Sequence, residues 1–287
     1  IDSDNKLGYL LQVLNYDLDP LQLEAFFKLK YPKIHFLYQE TVGSTNDIAK
    51  QYTVNQPNEE VLIISPKQLK GRGRRGRSFY SELDHGIYLS LVLEPNSENI
   101  EDLALYTLIT ATALAQTIER QVGGEVGIKW VNDIFYQGRK IAGILCETAT
   151  DLETLSISSI IIGVGINLAG SFDQSEESVK NIAGTIFKEL PEDFNVNRFI
   201  IDFIDTLLSY HGNFADTKYL FEYQKRLLGI GKKVYYEKNN QPFTGIIRGI
   251  NNQGHLLIED QDQKIKTLNS SEIHFSSQQF FESIKEK

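Results

Sequence analysis

The chain of 287 residues carries a single cysteine, Cys146. That excludes an intrachain disulfide and a cysteine-rich zinc site, and it suits a reducing compartment. No stretch approaches the roughly 18 uninterrupted apolar residues of a membrane helix. The acidic start Ile1-Asp2-Ser3-Asp4 lacks the pattern of a secretory signal. The expectation is a soluble, cytoplasmic protein without a membrane partner. An excess of positive charge is missing too: 29 Lys and Arg against 38 Asp and Glu leave a net charge of -9. A protein gripping nucleic acid over its whole surface needs a broad basic footprint, so DNA is not an expected partner. Internal repeats and low-complexity tracts are absent.

What is present is an ordinary globular composition, 41% hydrophobic and 23% charged, long enough for one large domain with a small companion. Residues 1–34 read as a leader with one helical stretch from Pro20 to Leu29, where Leu21, Ala25 and Leu29 share a face. From Ile34 apolar runs alternate with turns. Ile34–Tyr38, Val61–Ser65, Ile87–Leu93, Gly127–Trp130, Lys140–Glu147 and Ser159–Ile166 have the length and Val/Ile/Tyr content of strands. Between them, Ser44 or Thr45 caps a helix through Ala49, and Leu103–Ile118 and Asn197–Tyr210 carry apolar residues at helical spacing. Helical texture stops at Leu228, and Gly229-Ile230-Gly231 marks a boundary. Beyond it, Lys233–Tyr236, Phe243–Ile250, His255–Glu259 and Ile265–Leu268 alternate with the turns 238–240, 251–254 and 260–262, the pattern of a small β-barrel. The expected division is 1–34, 35–228 and 229–287.

One basic cluster stands out from the acidic background, Gly71-Arg72-Gly73-Arg74-Arg75-Gly76-Arg77. Glycines let a backbone approach phosphate closely and guanidinium groups bond it bidentately. The Lys-Ser/Thr ending of a P-loop is lacking, which argues against an ordinary kinase or GTPase. On this heptapeptide alone, an enzyme's phosphate loop, a nucleic-acid contact and a plain solvated loop stand level. A second group, Lys129-Trp130-Val131-Asn132-Asp133, puts a lysine, an amide and a carboxylate at one strand end, with Lys140 entering the next strand. By itself that pattern is more simply a hairpin with surface charge, and Trp130 is more simply core. A third, Ser44-Thr45-Asn46, offers hydroxyl and amide groups at a helix start, as an N-cap or as neutral partners for an uncharged polar head group.

Taken in order, these residues resemble the biotin–protein ligase family. Its Ser-Thr-Asn segment, its Gln ahead of the Gly-Arg-Gly-Arg-Arg-Gly loop, its Lys-Trp-Pro-Asn-Asp motif and its Lys-x-Ala-Gly-Ile-Leu strand are matched by Ser44–Asn46, Gln68, Gly71–Arg77, Lys129–Asp133 and Lys140–Leu145. Gly163–Asn167 matches the family's Gly-x-Gly-x-Asn strand end. Val131 replaces the family's proline and is expected to loosen the turn. Phe79 stands where an aromatic residue, often Trp, covers adenine. Leu7–Leu11 resembles the last strand of the winged-helix domain with which many relatives begin, and the leader is read as a remnant of such a domain.

The resemblance implies an α/β (α+β) fold like that of class II synthetases: a mixed sheet with helices mainly on one face, then an SH3-like barrel. It implies that ATP, with Mg²⁺, converts biotin to biotinyl-adenylate, which then passes biotin to a lysine of a biotin carboxyl carrier domain. Biotin would be held by Ser44, Thr45, Asn46, Gln68, Arg72, Gly73, Arg74, Lys140 and Gly143. ATP and adenylate would lie against Gly71, Arg75, Arg77, Phe79, Lys129, Asn132 and Asn167. Lys129, Asp133 and Arg74 carry the catalytic roles: Lys129 neutralises the α-phosphate, Arg74 folds over carboxylate and phosphate, and Asp133 orients the incoming lysine or the adenylate. No dedicated metal ligand is implied, and relatives self-associate through the sheet, so a homodimer is an expectation. The competing readings are a lipoate–protein ligase, a biotin-sensing DNA-binding regulator, and an RNA-binding module built on the arginines.

Overall fold

The computed structural model describes residues 2–4, 8–10, 18–81, 83, 85–96, 103–150, 156–238, 241–269, 273–275 and 278–280. Strands β1 (Asp2–Asp4) and β2 (Gly8–Leu10) pair as an antiparallel hairpin, so part of the wing-like segment is a strand, while Leu7 and Leu11 lie outside the described residues. Helix α1 (Pro20–Lys30) starts where Asp19 accepts hydrogen bonds from the Leu21 and Gln22 amides and Pro20 fills the first turn. Although sequence put this helix in the leader, its Leu23 and Phe27 are wholly buried in the main core.

The elements that follow are β3 (Ile34–Tyr38), α2 (Thr45–Asn55), β4 (Glu60–Ser65), β5 (His85–Leu93), α3 (Leu103–Gln121), β6 (Val126–Lys129), β7 (Asp133–Tyr136), β8 (Arg139–Thr150) and β9 (Ile157–Ala169). The short α4 (Glu177–Lys180), then α5 (Val196–Gly212) and α6 (Lys218–Arg226), complete this part. Seven strands form one sheet in the order β3-β4-β5-β9-β8-β7-β6, with β3 and β4 parallel and every other pair antiparallel.

Strand periodicity divides the apolar residues between two faces. Leu62, Ile64, Leu89, Leu91, Ile160 and Ile162 join the core shared with α1, α3 and α5. Their neighbours Val61, Ile63, Val92 and Ile161 face the other way, against Ala49 of α2. The helices thus lie mainly on one face, as expected for this fold, and α2 lies on the other. That second face is left open enough beside α2 to hold a cavity.

The last strands, β10 (Lys233–Lys238), β11 (Gln241–Ile250), β12 (Leu256–Glu259), β13 (Ile265–Leu268) and β14 (Ile273–Phe275), form an antiparallel sheet in the order β13-β12-β11-β10-β14, consistent with the SH3-like expectation. Of the turn at 238–240, Asn239 and Asn240 lie outside the described residues. The sequence pattern marks no strand at 273–275 or 133–136 and no helix at 218–226, where the structure has β14, β7 and α6. This unit docks firmly: the Trp130 indole donates to the Gly254 carbonyl at 2.9 Å, and Val234, Ile247, Leu256 and Ile258 belong to the same apolar cluster as α3.

Candidate active site

Three glycines make the cavity floor. Gly143 on β8 pairs with Gly165 on β9, and Gly163 lies two residues along the same strand. A β-carbon on Gly165 would come 2.6 Å from the Phe79 ring, and one on Gly163 would come 2.1 Å from the Asn46 side-chain oxygen. Only bare backbone permits those approaches. Over this floor, a cavity of about 180 Å³ is lined by Ser44, Thr45, Asn46, Gln68, Arg72, Gly73, Arg74, Arg75, Arg77, Phe79, Lys129, Asn132, Asp133, Lys140 and Gly143, together with Phe275 of β14. Two residues singled out from sequence do not line it. Gly71 sits at the neck of the loop, where its carbonyl accepts from the Phe79 amide at 2.9 Å. Asn167 donates to the carbonyls of Gly184 at 3.1 Å and Lys140 at 3.5 Å, tying the 182–184 segment to β8.

At one end, Ser44 precedes α2 without a side-chain capping bond, so its hydroxyl is not consumed as an N-cap. Gln68 accepts from the Thr45 amide at 2.9 Å. The Asn46 amide donates to Glu147 at 2.8 Å and to the Leu145 carbonyl at 3.3 Å, and its oxygen accepts from Ser90 at 2.6 Å. Glu147 also pairs with Lys50 at 2.7 Å. Burial pushes the Glu147 carboxyl up, but the hydrogen bonds from Lys50 and Asn46 and the charges of Lys50 and Arg72 outweigh it and hold it below its usual value. Neither Glu147 nor Ser90 was flagged from sequence.

The basic loop closes on itself. The Gly73 amide donates to the Arg77 carbonyl at 2.7 Å, with Arg75 at a φ of 57° in the turn between them. Arg72 pairs with Asp47 and lies 3.8 Å from Glu147. Arg74 is half-buried, and burial, then the charge of Arg75, holds its guanidinium below its usual value against the pull of Asp133.

At the other end the β6–β7 hairpin sets Lys129 opposite Asp133, and Asp133 opposite Gly143. Lys140 reaches back to Asp133 at 2.6 Å. Lys129 is 9% exposed, and its ammonium donates to the Phe275 carbonyl at 3.0 Å. Burial pushes its pKa down to about 8, opposed by Asp133 and reinforced by Lys140 and Arg77. The expected loosening at Val131 is not seen. Its side chain is 2% exposed and its carbonyl accepts from Tyr223 at 3.1 Å, which ties the turn to α6; the Trp130–Val131 peptide is cis. Asn132 bonds the Ile144 carbonyl at 3.1 Å, holding the turn to β8.

A neutral polar end, a row of arginines and a lysine–aspartate–lysine group therefore share one glycine-floored cavity. Such a site fits an elongated ligand with an uncharged head and a growing negative charge at its tail. Among the described residues, no group of three or more His, Cys, Asp or Glu could cage a metal ion.

The chain matches the Biotin/lipoate A/B protein ligase family over residues 38–167 and the Biotin protein ligase C terminal domain over 229–276. It is 31% identical over 279 residues to the bifunctional ligase/repressor BirA of Bacillus spizizenii, covering 95% of this chain and 84% of that protein. With the Escherichia coli protein of the same name it shares 32% identity over 237 residues, 80% of this chain and 72% of the other. The fold is that of the Aquifex aeolicus biotin protein ligase solved with biotin and ATP, at a TM-score of 0.66 and 24% identity over 84% of this chain and 99% of its counterpart. By these matches, with its motifs gathered on one cavity, the chain belongs to the biotin–protein ligase family.

Proposed function

We infer that this protein activates biotin with ATP and transfers it to a lysine of a carrier domain of a biotin-dependent carboxylase. The observation that carries the reading is the convergence of Ser44–Asn46, Arg72–Arg77, Lys129, Asp133 and Lys140 on one glycine floor. A carboxylate is a poor acyl donor until its oxygen becomes part of a good leaving group. In the first step a biotin carboxylate oxygen attacks the α-phosphorus of ATP, the bond to the β-phosphate oxygen breaks, and pyrophosphate leaves. In the second, the acceptor amine attacks the acyl carbon, loses a proton, and AMP departs with the bridging oxygen.

This chain's residues serve those steps by position and charge. Ser44, Thr45, Asn46 and Gln68 hold the ureido end. Arg72, Gly73 and Arg74 close over the carboxylate and α-phosphate, and Arg75 and Arg77 add positive charge towards the triphosphate. Lys129 neutralises charge growing on the α-phosphate, and Lys140 bonds the acyl oxygen. Asp133 holds Lys140 in place and faces the incoming amine. Phe79 covers the purine. Gly71 and Asn167 act through the backbone they position. Mg²⁺ arrives with the triphosphate as part of the substrate and is held through phosphates and water. The setting for this chemistry is the cytoplasm, and self-association through the sheet, of which β3 is an edge, is part of the proposal.

Pyrophosphate release with and without biotin, followed in the same tubes as label transfer to a purified carrier domain, tests the reading. Biotin-dependent release with a labelled acceptor is the expected outcome. Release that is indifferent to biotin, or that responds to lipoate instead, overturns it.

A further inference from the structure

Glu147 is outside the cavity lining, yet it governs one of the groups that form it. An amide has two chemically opposite ends, and which end faces a ligand is decided by its other partners. The Asn46 nitrogen is enclosed by two groups that can only accept, the Glu147 carboxylate at 2.8 Å and the Leu145 carbonyl at 3.3 Å. Its oxygen accepts from the buried Ser90 hydroxyl at 2.6 Å and lies over Gly163 on the cavity floor. Both amide hydrogens are therefore spent on the protein, and the oxygen keeps one lone pair for a ligand.

We propose that Glu147 is a positioning residue that fixes Asn46 as a hydrogen-bond acceptor towards the cavity, so that this end of the site selects a ring carrying an N–H donor. The inference rests on the ligase reading, in which that ring is the ureido ring of biotin. The dithiolane of lipoate has no N–H and gains nothing from the same oxygen. Lys50 lies behind this arrangement: it pairs with Glu147 and does not line the cavity. Losing Lys50 leaves the Asn46–Glu147 bond in place. Turning Glu147 into glutamine keeps shape but supplies an amide that can donate as well as accept, which frees Asn46 to turn over.

The test uses the full chain with Glu147→Gln and Lys50→Ala. Biotin affinity is measured calorimetrically without ATP, and the KM for ATP comes from pyrophosphate release. Glu147→Gln is expected to weaken biotin by up to about tenfold, the scale of one neutral hydrogen bond, while the KM for ATP stays within about twofold. Lys50→Ala is expected to bind biotin within about twofold of wild type. Wild-type affinity in Glu147→Gln overturns the inference. So does an equal loss in both variants that extends to ATP, since that marks Glu147 as a strut for α2 and nothing more. Wild-type protein that binds no biotin at all sinks the ligase reading and this inference with it.

Discussion

Lys129 has to keep its charge in a place that disfavours it. Burial brings its pKa from an ordinary 10.5 to about 8, so the folded protein holds fewer protons on this group than the unfolded chain between those values. By linkage, its contribution to stability rises with pH from about 8 to 10.5, because below that window the fold carries a buried ammonium. Its chemistry runs the opposite way, for only the ammonium neutralises phosphate. The kcat/KM for adenylation is accordingly expected to fall as pH passes about 8, and a profile flat to pH 9.5 would remove Lys129 from that role. Lys129→Gln is expected to cost about 10²–10³ in adenylation rate, as for loss of one preorganised donor at a charge-developing oxygen, and to abolish the fall near pH 8.

The loop and the floor behave as elements. At about 180 Å³ the cavity is below the roughly 300–1,000 Å³ that drug-sized ligands occupy, and the Phe79 ring rests on Gly143 and Gly165. Residues 71–79 must shift for biotin and ATP to enter together. Protease cleavage near Arg74 is expected to slow when both are added, and unchanged cleavage would contradict that movement. Gly165→Ala places a methyl where Phe79 lies and is expected to reduce ligand affinity with a stability cost of about 1–3 kcal/mol, read by calorimetry and by urea melts. Much of this was legible in sequence, since strand lengths, the α5 stripe and the Gly-x-Gly alternation of β9 are local periodicities. The missed elements were short or mixed: α6 spans only nine residues, in which buried Tyr219, Leu220 and Tyr223 stand beside the exposed Phe221, and β7 has only four residues. Glu147 and Ser90 were invisible for another reason. Their importance comes from register between β5, β8, β9 and α2, which no local pattern encodes.

For the molecule as a whole, the barrel and the sheet share one apolar cluster, and two polar contacts tie β14 and the 251–254 turn to the active-site hairpin. Trp130→Phe keeps a ring in the core but leaves the Gly254 carbonyl without its indole donor. It is expected to lower unfolding stability by about 1–3 kcal/mol, measured in urea, and an unchanged midpoint would show that the bond carries no net weight. The other contact holds Lys129 by the main-chain oxygen of Phe275. A carbonyl survives every ordinary substitution at its own position, so an alanine scan across the barrel passes over this grip in silence. The buried Phe275 ring answers to the core, but the grip itself does not depend on which side chain stands there, whereas one residue inserted or deleted within β14 ahead of position 275 would dislodge it at a stroke.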